Sequence, residues 1–133
     1  MPRQEKIRTL AENYTAAWCS QRPESVAAFY STNGSLSING GPPAIGREAI
    51  TAAAQSFMSS FPDMKVVMDN LIIEPDATTY HWTLTGTHTG PGGTGNRIQI
   101  SGHEKWRLNG DAQIAESKGH FDAADYNRQL KSN

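Results

Sequence analysis

The sequence turns from mainly helical to mainly β patterning at Phe61-Pro62-Asp63, and that change limits what the chain can fold into. Before it, apolar residues recur at helical spacing. Ile7, Leu10, Ala11, Tyr14, Ala17 and Trp18 fall at i, i+3, i+4 and i+7 and form one stripe over residues 3–19. Pro23 suits the first turn of a second short helix, with Val26, Ala27, Phe29 and Tyr30 as its buried side. Leu36 and Ile38 alternate with Ser35, Ser37 and Asn39, which predicts a short strand before the turn cluster Gly40-Gly41-Pro42-Pro43. A third helix opens at Gly46-Arg47-Glu48-Ala49-Ile50. Its stripe is Ile50, Ala53, Ala54, Phe57, Met58 and Phe61, and it ends there because a residue before proline disfavours helix.

Beyond Pro62 the texture is β. Met64–Ile73 is rich in Val, Ile and Met, and Glu74-Pro75-Asp76-Ala77 is a turn. Over Thr78–Thr89, Thr79, His81, Thr83 and Thr85 alternate with Tyr80, Trp82 and Leu84. A glycine-rich loop over 90–95, expected as a flap, leads to a strand over Arg97–Leu108. Asn109-Gly110 predicts a tight hairpin, Ala112–Phe121 the last strand and Ala123–Leu130 a closing helix. The order predicts a single α+β domain over 1–133, three N-terminal helices packed on one face of a strongly curved mixed or antiparallel sheet. A chain of 133 residues is long enough for one real core.

Charge narrows the partners. Twelve Lys+Arg stand against 13 Asp+Glu, a net charge of −1. Nucleic acid and membrane surfaces both reward excess positive charge, so neither is an expected partner. No apolar run approaches the ~20 residues of a membrane helix. MPRQEKIRTL has no apolar signal core, and the lone Cys19 excludes an internal disulfide and a zinc site of several thiolates. The expected setting is a reducing cytoplasm. His81, His88, His103 and His120 form no His-x-His or Glu-x-x-His pattern, so no metal is expected.

Several segments then occur in a telling order: Gly46-Arg47-Glu48-Ala49-Ile50, Phe61-Pro62-Asp63, Gly86-Thr87-His88-Thr89-Gly90, Asn109-Gly110, and Asp122 followed by Arg128-Gln129-Leu130. Together they resemble the SnoaL-like polyketide cyclases and ester cyclases of the nuclear-transport-factor-like superfamily. The resemblance implies a cone whose bent sheet encloses a pocket at its open end. It also implies ring closure of a small hydrophobic carbonyl compound by an intramolecular aldol reaction, with no cofactor, and a homodimer formed through the sheet.

By that resemblance Asp122 is the catalytic aspartate, with His88 nearby. An apolar wall would raise the carboxyl pKa from its usual ~3.9 and fit it for proton transfer. Asp122 equally suits an N-cap, and the two roles are compatible. The candidate pocket residues are Trp82, Glu104, Trp106, His120, Tyr14 and Phe57, although stripe position makes Tyr14 and Phe57 core as well. His120 is expected to share a cavity or mouth face with Asp122, and Glu104 to share one with Trp106. A cross-strand ion pair of Glu104 with Lys118 or Arg107 is the plainer expectation for that carboxylate. Two other readings stay open. One is a non-catalytic ligand-binding or dimerisation protein on the same scaffold. The other is an isomerase or an epoxide-hydrolase-type enzyme, although no second Asp accompanies Arg97 or Arg107 for an Asp-Arg-Asp relay.

Overall fold

The computed structural model describes residues 2–131; residues 1, 132 and 133 of the expected domain lie outside the described residues. Four helices and six strands follow one another: α1 (Arg3–Cys19), α2 (Pro23–Ala27), β1 (Tyr30–Ile38), β2 (Ala44–Ile45), α3 (Arg47–Ser60), β3 (Lys65–Ile73), β4 (Thr78–Thr87), β5 (Arg97–Leu108), β6 (Ile114–Phe121) and α4 (Ala123–Lys131). The strands form one curved sheet in the order β2-β1-β6-β5-β4-β3. β3 to β6 are an antiparallel meander, and β1 returns parallel to β6.

Burial follows the sequence stripes. In α1 the buried residues are Ile7, Leu10, Ala11, Tyr14, Ala17 and Trp18, the six of its apolar face. The hydrophobic effect docks that face on the sheet, since each large side chain removed from water contributes roughly 1.5–3 kcal/mol. Tyr80 and Trp106 stack at 5.0 Å on the inner face of the sheet, and Tyr14 meets them edge-on at 5.6 and 5.3 Å. α3 is tied to β1 by Arg47, whose Nε donates to the Tyr30 carbonyl at 3.0 Å.

Several boundaries differ from expectation. Tyr30 opens β1 instead of closing the second helix. β4 ends at Thr87, two residues early. Asn109-Gly110 is not a two-residue hairpin. The Asn109 side chain accepts from the backbone N–H groups of Asp111 and Gln113, both at 2.9 Å, and so organises a wider loop. Ala112 takes φ 59° within it, and β6 starts at Ile114 instead of Ala112. β2, of two residues, is too short to leave a periodic signal.

The loop after β4 is tied to the end of α3. Gly90 N donates to the Ser60 carbonyl at 3.2 Å. A Cβ on Gly90 would lie 1.9 Å from the Ser59 carbonyl oxygen, so only glycine permits this approach. The Phe-Pro-Asp segment meets the Gly-Thr-His segment here. Asp63 accepts from Thr87 N at 2.7 Å and Thr87 Oγ1 at 2.8 Å. These bonds hold the Asp63 carboxyl below the usual carboxylate range.

Candidate active site

The inner face of the sheet and the helices line a half-open cavity of about 60 Å³. Trp18 and Phe57 close it from the helix side. Trp82 and Phe121 close it from the sheet, packed edge to face at 6.2 Å. Trp82 lies across Gly102 of β5, where a Cβ would come within 2.6 Å of its Cζ2. The glycine therefore makes room for the indole.

One carboxyl borders this apolar space. Glu104 sits on β5, opposite Tyr80 of β4 and Gly119 of β6, and is 7% exposed. Its Oε1 accepts from the Ser117 hydroxyl at 2.7 Å, the Tyr14 hydroxyl at 2.9 Å and the Trp106 indole N–H at 3.0 Å. None of those three donors lines the cavity, whereas Glu104 does. Among the described residues no donor reaches Oε2. Three donors occupy Oε1, so a proton carried by this carboxyl belongs on Oε2.

Burial pushes the Glu104 carboxyl above its ordinary pKa; the donors from Trp106, Ser117 and Tyr14 pull the other way without winning. Tyr14 itself is pushed well above the usual phenol value, first by burial and then by the charge of Glu104. It remains a donor. The Tyr30 hydroxyl lies 2.8 Å from the Tyr14 hydroxyl and completes a buried chain. With its own proton given to Glu104, Tyr14 receives that of Tyr30. The Trp18 indole N–H acts on the Tyr14 hydroxyl but meets no acceptor at hydrogen-bond geometry.

The structure brings together four of the expected pocket residues in different degrees. Trp82, Glu104 and Phe57 line the cavity. His120 borders it, yet its ring packs on His103 at 5.2 Å, on the other face of the sheet. Residue parity turns Gly119 and Phe121 inward, so His120 contributes main chain and its ring is exposed. Tyr14 and Trp106 stand behind Glu104, fully buried, and act on it instead of on the cavity.

Asp122 and His88 are not brought into the cavity. Asp122 is exposed and caps α4, its Oδ1 accepting from Asp125 N at 3.0 Å. His88 lies against the Phe61 ring at 5.3 Å, and its Nδ1 accepts from Thr94 N at 3.2 Å, which fixes the glycine loop. The ion pair expected for Glu104 does not form. In the strand register Lys118 stands opposite Lys105, and Arg107 opposite Glu116, on the outer face. That face also carries His81, His103 and His120 in a row, with ring spacings of 5.7 and 5.2 Å. Among the described residues, no group of three or more His, Cys, Asp or Glu is placed to hold a metal ion.

Ser117, Gly102 and Trp18 were missed as site residues. Ser117 and Gly102 become legible only through register: Trp106 faces Ser117, and Trp82 faces Gly102. Trp18 reads as core from its stripe, because a stripe does not tell core from cavity wall.

Comparisons with known proteins agree with this architecture. A family model described as SnoaL-like polyketide cyclase matches residues 8–130. TsrD from Streptomyces laurentii is 20% identical, with a TM-score of 0.84, covering 100% of this chain and 99% of that one. A hypothetical protein of ketosteroid isomerase-like fold from Catenulispora acidiphila, in complex with trimethylamine, is 15% identical with a TM-score of 0.82; 93% of each chain is covered. A putative polyketide cyclase from Xanthomonas campestris pv. campestris is 17% identical with a TM-score of 0.78, covering 96% of this chain and 98% of that one. No curated protein matches the chain. Among the described residues, no helix is long and apolar enough to cross a membrane.

Proposed function

The chain belongs to the SnoaL-like polyketide cyclase family, and we propose that it is a cofactor-independent cyclase in which Glu104, not Asp122, is the acid/base. The substrate is a small apolar carbonyl compound. The observation that carries this reading is a buried carboxyl of raised pKa, one oxygen of which takes three hydrogen bonds, on a residue that lines the cavity.

The chemistry balances within the substrate: Glu104 first gives its proton to the donor carbonyl oxygen and takes one from the adjacent carbon, which makes the enol and restores the carboxyl. Neutral Glu104 gives its Oε2 proton to the accepting carbonyl oxygen as the new carbon–carbon bond forms. The carboxylate left behind takes the proton from the enol oxygen of the donor half. Enol and carbonyl become ketone and alcohol, and the carboxyl returns to its starting state. Tyr14, Trp106 and Ser117 stabilise the transient carboxylate through Oε1. The apolar wall excludes water and keeps the carboxyl near the protonation state it needs.

The test is proton exchange at carbon next to a carbonyl, followed by proton NMR on acetophenone in deuterated water. The wild type accelerates it. Glu104→Gln keeps the three acceptor contacts at one oxygen but has no proton to give, and loses roughly a hundred- to ten-thousandfold of the acceleration. Unchanged acceleration in Glu104→Gln overturns the assignment.

A second reading is a small-molecule-binding protein without turnover. Its support is the aromatic wall and a lining with no carboxyl besides Glu104. The trimethylamine held by the Catenulispora acidiphila protein makes a small amine a reasonable probe of that reading. A binder gives no acceleration in wild type or variant, and retains ligand affinity in both.

A further inference from the structure

β4, β5 and β6 each place one glycine on the inner face of the sheet: Gly86, Gly102 and Gly119. A glycine inside a strand weakens it, and it stands where something else needs the space of a side chain. At two of the three that occupant is part of this chain. A Cβ on Gly86 would lie 3.0 Å from the Phe61 Cβ. One on Gly102 would lie 2.6 Å from Trp82 Cζ2 and 2.3 Å from the His120 carbonyl oxygen. Gly119 is different. A Cβ there would meet nothing closer than the Ser37 carbonyl oxygen at 3.4 Å and Glu104 Cγ at 3.7 Å, both ordinary contacts. Its φ is not positive, so the backbone does not call for glycine either.

The empty place belongs to the cavity. Gly119 lines it between its register partners, Glu104 of β5 and Ile38 of β1, which line it too. One row along the sheet, the space over Gly102 is taken by the Trp82 indole. Glu104 is buried, whereas Phe57, Trp82 and Phe121 are half-buried, so the carboxyl lies at the inner end and the aromatic rings at the mouth. We propose that Gly119 determines specificity: the side chain it lacks leaves the place beside Glu104 where the carbonyl end of the substrate lies, and that place takes a methyl ketone and refuses a branched one. This rests on the reading of Glu104 as the acid/base. The place is that of one small side chain, which a methyl group fills and an isopropyl group overfills. The rest of the ketone stays between the aromatic rings of the mouth.

A ligand-observed NMR titration of the full chain tests this with two aryl ketones that differ only at the acyl end. Acetophenone binds the wild type. Isobutyrophenone, with isopropyl in place of methyl, binds roughly ten- to two-hundredfold more weakly. Gly119→Ala puts a methyl group in the place and weakens acetophenone by a similar factor. Its thermal midpoint holds or rises, because alanine costs a strand less than glycine. A purely structural glycine gives the reverse, a lower midpoint with unchanged affinity. Equal binding of the two ketones to wild type, equal binding of acetophenone to wild type and Gly119→Ala, or a lowered midpoint overturns the proposal. Glu104→Gln keeps the preference for acetophenone. Selectivity that is intact while proton exchange is untouched by Glu104→Gln overturns the acid/base reading alone; exchange lost in Glu104→Gln without selectivity overturns the role of Gly119 alone.

Discussion

The Tyr14 hydroxyl donates to Glu104 Oε1 at 2.9 Å and joins α1 to β5 across 90 positions of sequence. The contact links fold and site. It holds the first helix on the sheet, and it fixes which oxygen of the carboxyl is left for the cavity. Removing it has two separable consequences.

Tyr14→Phe keeps the ring and its edge-on contacts with Tyr80 and Trp106 but removes the donor. The expected loss of stability is about 1–3 kcal/mol, because Tyr30 also loses its buried partner. The Glu104 carboxyl loses one of the bonds that lower its pKa, so the alkaline limb of the activity profile, where the neutral acid is lost, moves to higher pH. Urea denaturation and a pH–rate profile check the two effects. A profile that stays in place rules out a role for Tyr14 in poising the carboxyl.

Glu104→Gln changes how stability depends on pH. The folded-state pKa of Glu104 is raised above its unfolded value, so the folded state binds the extra proton. The contribution is therefore fully present below the unfolded pKa, near ~4.3, and is lost as pH rises through the folded pKa. The variant lacks this loss. Thermal unfolding of both proteins across that range is expected to move in favour of Glu104→Gln as pH rises. A constant difference contradicts a raised pKa.

His103 has the opposite sign. Burial comes first, then the charges of His120 and His81, and together they lower its pKa. Stability is present above the unfolded value of ~6.5 and falls as pH drops through it and on towards the folded pKa. His103→Gln should flatten that acid decline in a thermal unfolding series. A decline equally steep in the variant means that the row of three imidazoles does not cause it.

Asp122→Asn should leave proton exchange unchanged. Asn is as good an N-cap as Asp, so its stability cost is only a few tenths to about 1 kcal/mol. A loss of exchange by orders of magnitude would return the acid/base role to this position.

Much of this was legible in the sequence, for physical reasons that also explain the misses. The α1 stripe gave six buried residues correctly because a helix buries one face whatever it packs on. Strand parity paired Glu104 with Trp106 and put both on the inner face. The last strand went the other way. His120 is expected on a cavity or mouth face with Asp122, but the register places it opposite His103, in line with Lys118 opposite Lys105 and Glu116 opposite Arg107, on the outside. Nothing in one strand's alternation says which face is inward; the partner strand decides it. The family motifs named Asp122 and His88, and in this chain those residues hold a helix end and a loop. The Glu104 network needs residues from α1, β5 and β6 to meet, and no local pattern announces that.

The central claim is that Glu104 is a protonated acid at the cavity wall. A carbon NMR titration of the protein carboxyls, with Glu104 assigned by Glu104→Gln, measures this directly. The account predicts that the Glu104 signal titrates above the ordinary glutamate range and shifts further when acetophenone is bound. Titration within the ordinary range, indifferent to the ligand, would contradict it.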